Sequence, residues 1–187
     1  MATIRSFLGI PVCDPTRENL SAILNQLRSS HAVVRWEAPS KFHLTMKFLG
    51  DVEVETLEHL ADALTAEAKS ISTFDLALNT VGAFPSVLEP KIVWAGGPLS
   101  AEIRSLVEVV ESIAAQHGLP RETRPFHNHI TLGRVKSREN LSRLTEALKS
   151  STLEPIPMRC KQLVLYKSVL QPGGSVYSII RSIPFLV

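Results

Sequence analysis

Phe42-His-Leu-Thr-Met-Lys-Phe-Leu49 decides the fold, because its alternation has the period of two that belongs to a β-strand. Phe42, Leu44, Met46 and Phe48 are expected on one apolar face, with His43, Thr45 and Lys47 together on the other. The pattern returns in Phe126-His-Asn-His-Ile-Thr-Leu-Gly133, where Ile130 and Leu132 oppose His127, His129, Thr131 and Gly133. Pro125 to Val135 is therefore expected to form a second strand of the same kind. Each strand sets an imidazole and a hydroxyl about 6–7 Å apart on one face. One His-x-Thr among six histidines would be ordinary. Two, each on an alternating strand and each shortly after a Phe, point to a shared purpose.

Working outward, Ser6–Val12 predicts a buried strand, followed by a helix capped by Asp14 with Pro15 at its first position. Leu20, Ile23, Leu24 and Leu27 fall at helical spacing behind it. Val33–Trp36 and the first motif strand flank a turn at Pro39, and Val54–Ala68 predicts a helix with Leu57, Leu60, Ala61 and Leu64 inward. Phe74–Phe84 and Lys91–Ala95 predict a strand pair around a Pro-rich loop. Ser100 caps a helix that stops at His117-Gly118. After the second motif, Ser137 is expected to cap a short helix carrying Leu141, Leu144 and Leu148. Two strands, Met158–Leu170 and Val176–Phe185, close the chain around Pro172-Gly-Gly174. This order lacks the regular alternation of a doubly wound parallel sheet. It predicts an α+β fold with mostly antiparallel sheets and helices outside.

A length of 187 residues fits one domain, spanning 1–187 as two pseudo-symmetric lobes that share a core. The net charge of +2 argues against a general nucleic-acid coat protein, while a focused cleft could still attract an anion. No run reaches the ~20 apolar residues of a membrane helix. The N-terminus runs straight into strand without a signal-peptide pattern, and Cys13 and Cys160 read as free thiols. A cytoplasmic monomer is the expectation.

The two motifs suit the opening of a cyclic phosphodiester. In-line hydrolysis needs a base to activate water and an acid to protonate the leaving ribose oxygen. Histidine, with an ordinary pKa near 6.5, can fill either role at neutral pH. Two threonine hydroxyls can hold the nonbridging oxygens, so no metal or cofactor is required.

Further segments accompany the motifs in a fixed order: Arg5-Ser-Phe-Leu-Gly-Ile-Pro, Gly82-Ala-Phe-Pro, Val93-Trp-Ala-Gly, Leu165-Tyr-Lys-Ser and the Pro172-Gly-Gly-Ser-Val-Tyr turn. With them, nearly the whole chain resembles the 2H phosphoesterase superfamily, and within it the LigT-like RNA 2′,3′-cyclic phosphodiesterases, also called 2′-5′ RNA ligases. The resemblance implies a bilobal fold whose motif strands face a central cleft. It also implies hydrolysis of RNA 2′,3′-cyclic ends to 2′-phosphomonoesters, with reversible 2′-5′ ligation as a companion reaction. By it, His43 is the proton donor and His129 the proton acceptor, while Thr45 and Thr131 bind the phosphate. Arg134 becomes a candidate phosphate or nucleotide ligand, and Phe48 and Tyr166 hold family-typical aromatic positions near the cleft. The family often has Pro where this chain has Asn128. His127 adds a third imidazole, placed to touch the nucleotide or to tune His129.

The remaining candidates have plainer readings. His31, His59 and His117 are expected to be structural, and Phe42, Phe126, Trp36 and Trp94 to be core. Lys47, Arg121, Arg124, Lys136 and Arg138 either draw RNA toward the site or form a solvated face. The alternatives in function are another 2H activity, on ADP-ribose 1″,2″-cyclic phosphate or 2′-5′ oligonucleotides, and a non-catalytic nucleotide- or RNA-binding module. A third is a metalloenzyme built on His43, His127 and His129. No carboxylate lies beside these residues at a familiar ligand spacing.

Overall fold

Four amphipathic helices and a long antiparallel sheet divide the apolar residues of this chain between them. The computed structural model describes residues 2–187. The helices are α1 (Asp14–Arg28), α2 (Val54–Ala68), α3 (Ala101–Gln116) and α4 (Leu141–Ser150). They bury the stripes their spacing marks, among them Leu20, Leu24 and Leu27 in α1, Leu57, Leu60 and Leu64 in α2, and Ile103, Leu106 and Val110 in α3. Each fully buried aliphatic side chain of this kind contributes about 1.5–3 kcal/mol. The stripes join Leu8, Ile10, Leu44, Val93 and Ile130 of the sheet in one hydrophobic cluster.

The strands are β1 (Thr3–Pro11), β2 (Val34–Trp36), β3 (His43–Glu53), β4 (Phe74–Leu78), β5 (Thr80–Pro85), β6 (Pro90–Gly96), β7 (His129–Val135), β8 (Ile156–Cys160), β9 (Gln162–Gln171) and β10 (Gly174–Pro184). Eight of them form one sheet in the order β10-β9-β1-β3-β7-β6-β5, with β2 also on β7. β4 and β8 pair separately. Every ladder is antiparallel. The predicted α+β class with antiparallel sheets is the class observed.

Several expected boundaries move. Asp14 lies inside α1, whose cap position is Cys13, and Pro15 still stands in its first turn. The expected strand Phe74–Phe84 breaks at Asn79, and Met158–Leu170 breaks at Lys161, because in each case the two pieces join different sheets. Ser137 does not cap α4; Asn140 takes the cap position in the left-handed conformation at φ 53° without a side-chain cap bond, and Ser137 instead accepts the Glu139 N–H in the preceding turn. The second motif strand starts at His129 rather than Pro125. Asn128 is buried off the ladder, its Nδ2 donating to the Pro98 carbonyl at 3.1 Å. Ser100 caps α3 as expected, accepting the Ile103 N–H at 3.3 Å.

Candidate active site

β3 and β7 meet at one antiparallel pair, Leu44 with Ile130, and both side chains are fully buried in the core. Residues on either side of an inward-pointing one project to the opposite face. His43, Thr45, His129 and Thr131 therefore leave the core together. The antiparallel register carries His43 toward Thr131 and Thr45 toward His129. The four positions form a quadrilateral with the imidazoles on one diagonal and the hydroxyls on the other. Diagonal neighbours in such a ladder stand about 7–8 Å apart.

The two rings are held alike. His43 Nδ1 lies 2.6 Å from the Lys41 carbonyl oxygen, and His129 Nδ1 lies 2.9 Å from that of His127. A carbonyl oxygen only accepts, so Nδ1 carries the hydrogen in both rings. Nε2 is left as the atom that exchanges a proton. Aromatic rings pack each imidazole in place. Phe7 lies 4.8 Å and Tyr177 5.3 Å from His43 between ring centroids. Phe84 meets His129 edge-on at 5.0 Å, with Trp94 at 6.5 Å.

Burial lowers the pKa of His43 below its ordinary value. The bond to Lys41 opposes this, and the nearby His129 and Arg134 lower it further. His129 is lowered in the same way, first by burial, against the bond to His127, with His127 and Arg134 adding to the fall. Arg134 thus sits within electrostatic reach of both rings, and Glu37 is its ion-pair partner at 4.0 Å. Burial raises the phenols of Tyr166 and Tyr177 above their usual range.

Strict alternation fails beyond each motif, and the failure builds the site. Leu8 and Gly9 of β1 face Lys47 and Thr45, so Met46 is an extra residue bulged out of β3. Val93 and Trp94 of β6 face Gly133 and Thr131, so Leu132 is the matching extra residue in β7. A bulge shifts the phase of everything after it. Lys47, expected beside His43, turns inward and is buried; its Nζ lies 2.7 Å from Glu111 Oε2 and donates to the Pro120 carbonyl. Phe48, expected on the apolar face, is 69% exposed and lies 6.0 Å from Phe7, on the His43 side. Gly133 does not face the cleft freely, since a Cβ there would stand 2.7 Å from Trp36 and from Val34. Arg134 emerges on the face of the histidines.

The other expected residues are placed as follows. Tyr166 stacks on Phe7 at 4.9 Å, next to His43. His127 is exposed and lies 5.5 Å from Phe84, near His129. Arg121 and Arg124 pair with Glu108 and Glu122 on the surface. His117 Nδ1 bonds the Ile113 carbonyl at 2.9 Å, closing α3, and takes no part in the cleft. Trp94, expected as core, stands at the site. Phe7, Phe84 and Tyr177 were not singled out, although each lies in a segment that carries the resemblance. Their neighbours in space come from other strands, and no local period marks them. Among the described residues no group of three or more His, Cys, Asp or Glu gathers as a metal-ligating set, and no helix is long and apolar enough to cross a membrane.

Comparison with known proteins identifies the family. The family described as LigT like Phosphoesterase matches residues 10–94 and 97–177, a span that includes both motifs. A protein of Archaeoglobus fulgidus named RNA 2′,3′-cyclic phosphodiesterase is 31% identical over 178 residues, covering 95% of this chain and 98% of its own. One of the same name from Methanothermobacter thermautotrophicus is 27% identical over 94% of this chain and 95% of its own. E. coli LigT, solved in complex with 3′-AMP, superposes with a TM-score of 0.75 at 25% identity over 98% of both chains. TT0787 of Thermus thermophilus shares the fold with a TM-score of 0.80 at 21% identity, over 97% of both chains. The chain belongs to the LigT-like phosphoesterase family.

Proposed function

We propose that this protein hydrolyses RNA 2′,3′-cyclic phosphodiester ends to 2′-phosphomonoesters by two-histidine acid–base catalysis. The observation that carries the reading is the diagonal pair of imidazoles, each with Nδ1 tied to a carbonyl and Nε2 free. The cyclic phosphate lies between them. His129 Nε2 takes a proton from water as its oxygen bonds to phosphorus. The P–O3′ bond breaks, and His43 delivers its proton to the leaving 3′ oxygen. Thr45 and Thr131 donate hydroxyl hydrogen bonds to the nonbridging oxygens, and Arg134 supplies positive charge as the transition state forms. Phe48 and Tyr166, with His127 on the other flank, line the nucleotide's approach. The family resemblance supplies the donor and acceptor labels; the paired rings supply the means.

Under this reading the chain is one domain of two pseudo-symmetric lobes. A two-fold axis through the Leu44–Ile130 pair exchanges His43 with His129, Thr45 with Thr131 and Phe48 with Arg134. The partner is RNA or an oligonucleotide with a cyclic end, met in the cytoplasm by a monomer, and no cofactor enters the scheme.

The test is turnover of a short 2′,3′-cyclic-ended RNA with identification of the product. His43→Ala and His129→Ala are each expected to lower kcat by about 10²–10⁴-fold. Unchanged turnover in either would end the two-histidine scheme, and a 3′-phosphate product would reverse the leaving-group assignment. Activity is expected to survive excess EDTA; loss that zinc restores would favour a metalloenzyme.

A further inference from the structure

On the His43 side of the cleft two arginines stand directly opposite one another. β7 pairs with β3 at Ile130 and then with β2 from Gly133 to Val135, and in that second stretch Arg134 faces Arg35. Cross-strand partners share one face of a sheet, with Cβ atoms about 4.5–5.5 Å apart. Arg35 therefore lies on the face of the histidines, while its neighbours Val34 and Trp36 turn to the other face against Gly133. The Arg35 guanidinium rests on the β9–β10 hairpin, its Cζ 3.7 Å from the Cβ position of Gly174. Lys41 Nζ reaches the same hairpin and donates to the Ser175 carbonyl at 2.8 Å. The Lys41 carbonyl in turn holds His43 Nδ1, so this cationic group is built onto the His43 ring.

Like charges directly opposite on a ladder cost stability. Glu37 pairs with Arg134 at 4.0 Å, and among the described residues Arg35 has no ion-pair partner. Tyr177, whose ring lies 5.3 Å from His43, connects the arginines to the reacting end of the cleft. Burial and Glu37 raise its phenol, while Arg134 and Arg35 both pull it down, so both charges reach one point beside His43. Arg35, Lys41 and Arg134 against Glu37 exceed what the cyclic phosphate requires. A cyclic phosphodiester carries a single negative charge, which Arg134 and an imidazolium already answer. The excess calls for a second anion. The ribose that bears the cyclic phosphate has one further place for a phosphate, its 5′ oxygen, where an RNA chain continues.

We infer that Arg35, across from Arg134, binds the phosphate on the 5′ oxygen of the ribose that carries the cyclic phosphate. This rests on the hydrolysis proposed above. Arg134 stands between the two phosphates, and Arg35 faces the outer one with the donor geometry that suits a phosphate. The preferred substrate is then an oligonucleotide end, or a nucleotide with a 5′-phosphate, over a cyclic mononucleotide with a free 5′-hydroxyl. Arg35 does not touch the reacting atoms. Its contact is the same in ground state and transition state, so it acts on KM and leaves kcat to the histidines.

The test compares two substrates that differ in one group, cytidine 2′,3′-cyclic phosphate with a 5′-hydroxyl and the same nucleotide with a 5′-phosphate. The full chain is expected to favour the 5′-phosphorylated form by about tenfold in kcat/KM, the effect of one charge-assisted hydrogen bond, and the difference should lie in KM. Arg35→Gln is expected to bring the ratio of the two kcat/KM values to about one. Arg35→Lys keeps a charge without the planar donor pair and should retain part of the preference. A merely structural role for Arg35 would lower both substrates alike and leave the ratio where it was. Equal kcat/KM values in the unaltered chain would overturn the subsite and leave the proposed hydrolysis standing. A preference that survives Arg35→Gln would overturn the assignment to Arg35. No turnover of either substrate would refute the hydrolysis and the subsite with it.

Discussion

At His43 and His129, opposing influences act on a single ring. Burial withholds water from the imidazolium and lowers both pKa values, and each Nδ1–carbonyl bond pulls the other way without prevailing. Both rings then titrate below the ordinary histidine value of about 6.5. The form with one ring protonated, which paired acid–base catalysis needs, is most populated on the acid side of that value. The expected kcat/KM profile is therefore a bell centred below pH ~6.5. A bound phosphodiester anion favours imidazolium, so the kcat profile should lie at higher pH than that of kcat/KM. Arg134 lowers both rings. Replacing it in Arg134→Met should raise both pKa values, move both limbs of the kcat/KM bell to higher pH, and weaken substrate binding. A raised KM with an unmoved bell would mean that Arg134 acts on substrate alone. A profile flat from about pH 5 to 9 would contradict paired roles altogether.

At the scale of the strand, the alternation that reveals His43 and Thr45 is local, and so are the stripes of the helices. Both could be read from the chain directly. The bulges at Met46 and Leu132 could not, because each arises from pairing with a strand far away in sequence, β1 for β3 and β6 for β7. The same distance hid the breaks at Asn79 and Lys161, where a continuous apolar run is divided between two sheets. The Met46 bulge has an energetic consequence at the next residue. Lys47 turns into the core, where Glu111 of α3 meets it, and Glu111 Oε2 also accepts the Glu122 N–H at 3.1 Å. This pair ties β3 to α3 and to the segment that leads toward His127. Removing one member leaves a buried charge without its partner. Glu111→Leu is therefore expected to cost about 3–5 kcal/mol in denaturant unfolding. Lys47→Met with Glu111→Leu should recover most of that loss, since an apolar pair of similar volume needs no desolvation of charge. Equal losses in the single and double variants would mean that packing, and not the ion pair, holds the junction.

Across the whole molecule, eight of the described strands make the wide antiparallel sheet, and the helices cover the face that the motifs do not use. The class was legible because strands and helices follow one another without parallel alternation. The order β10-β9-β1-β3-β7-β6-β5 was not, since it brings the end of the chain beside its beginning and joins the two motif strands at a single pair. That order has an electrostatic result. The net charge is only +2, and Arg121 and Arg124 pair with carboxylates on the surface. Positive charge also stands at the cleft, where Arg134 lies within reach of both histidines. Arg35 stands across from Arg134 on β2, and Lys41 Nζ donates to the Ser175 carbonyl at 2.8 Å where the β9–β10 hairpin arrives. Such a site should grip the reacting phosphate and one or two neighbours while leaving the rest of the RNA in solvent. For single strands, log affinity falls against log salt with a slope of about −0.7 per neutralised phosphate. Two contacts predict a slope near −1.4, or about a sevenfold loss between 50 and 200 mM salt. Measuring kcat/KM for a cyclic-ended oligonucleotide across that range tests the idea, and lengthening the RNA should leave the slope unchanged. A slope that steepens with each added nucleotide would reveal an extended binding track and refute recognition confined to the cleft.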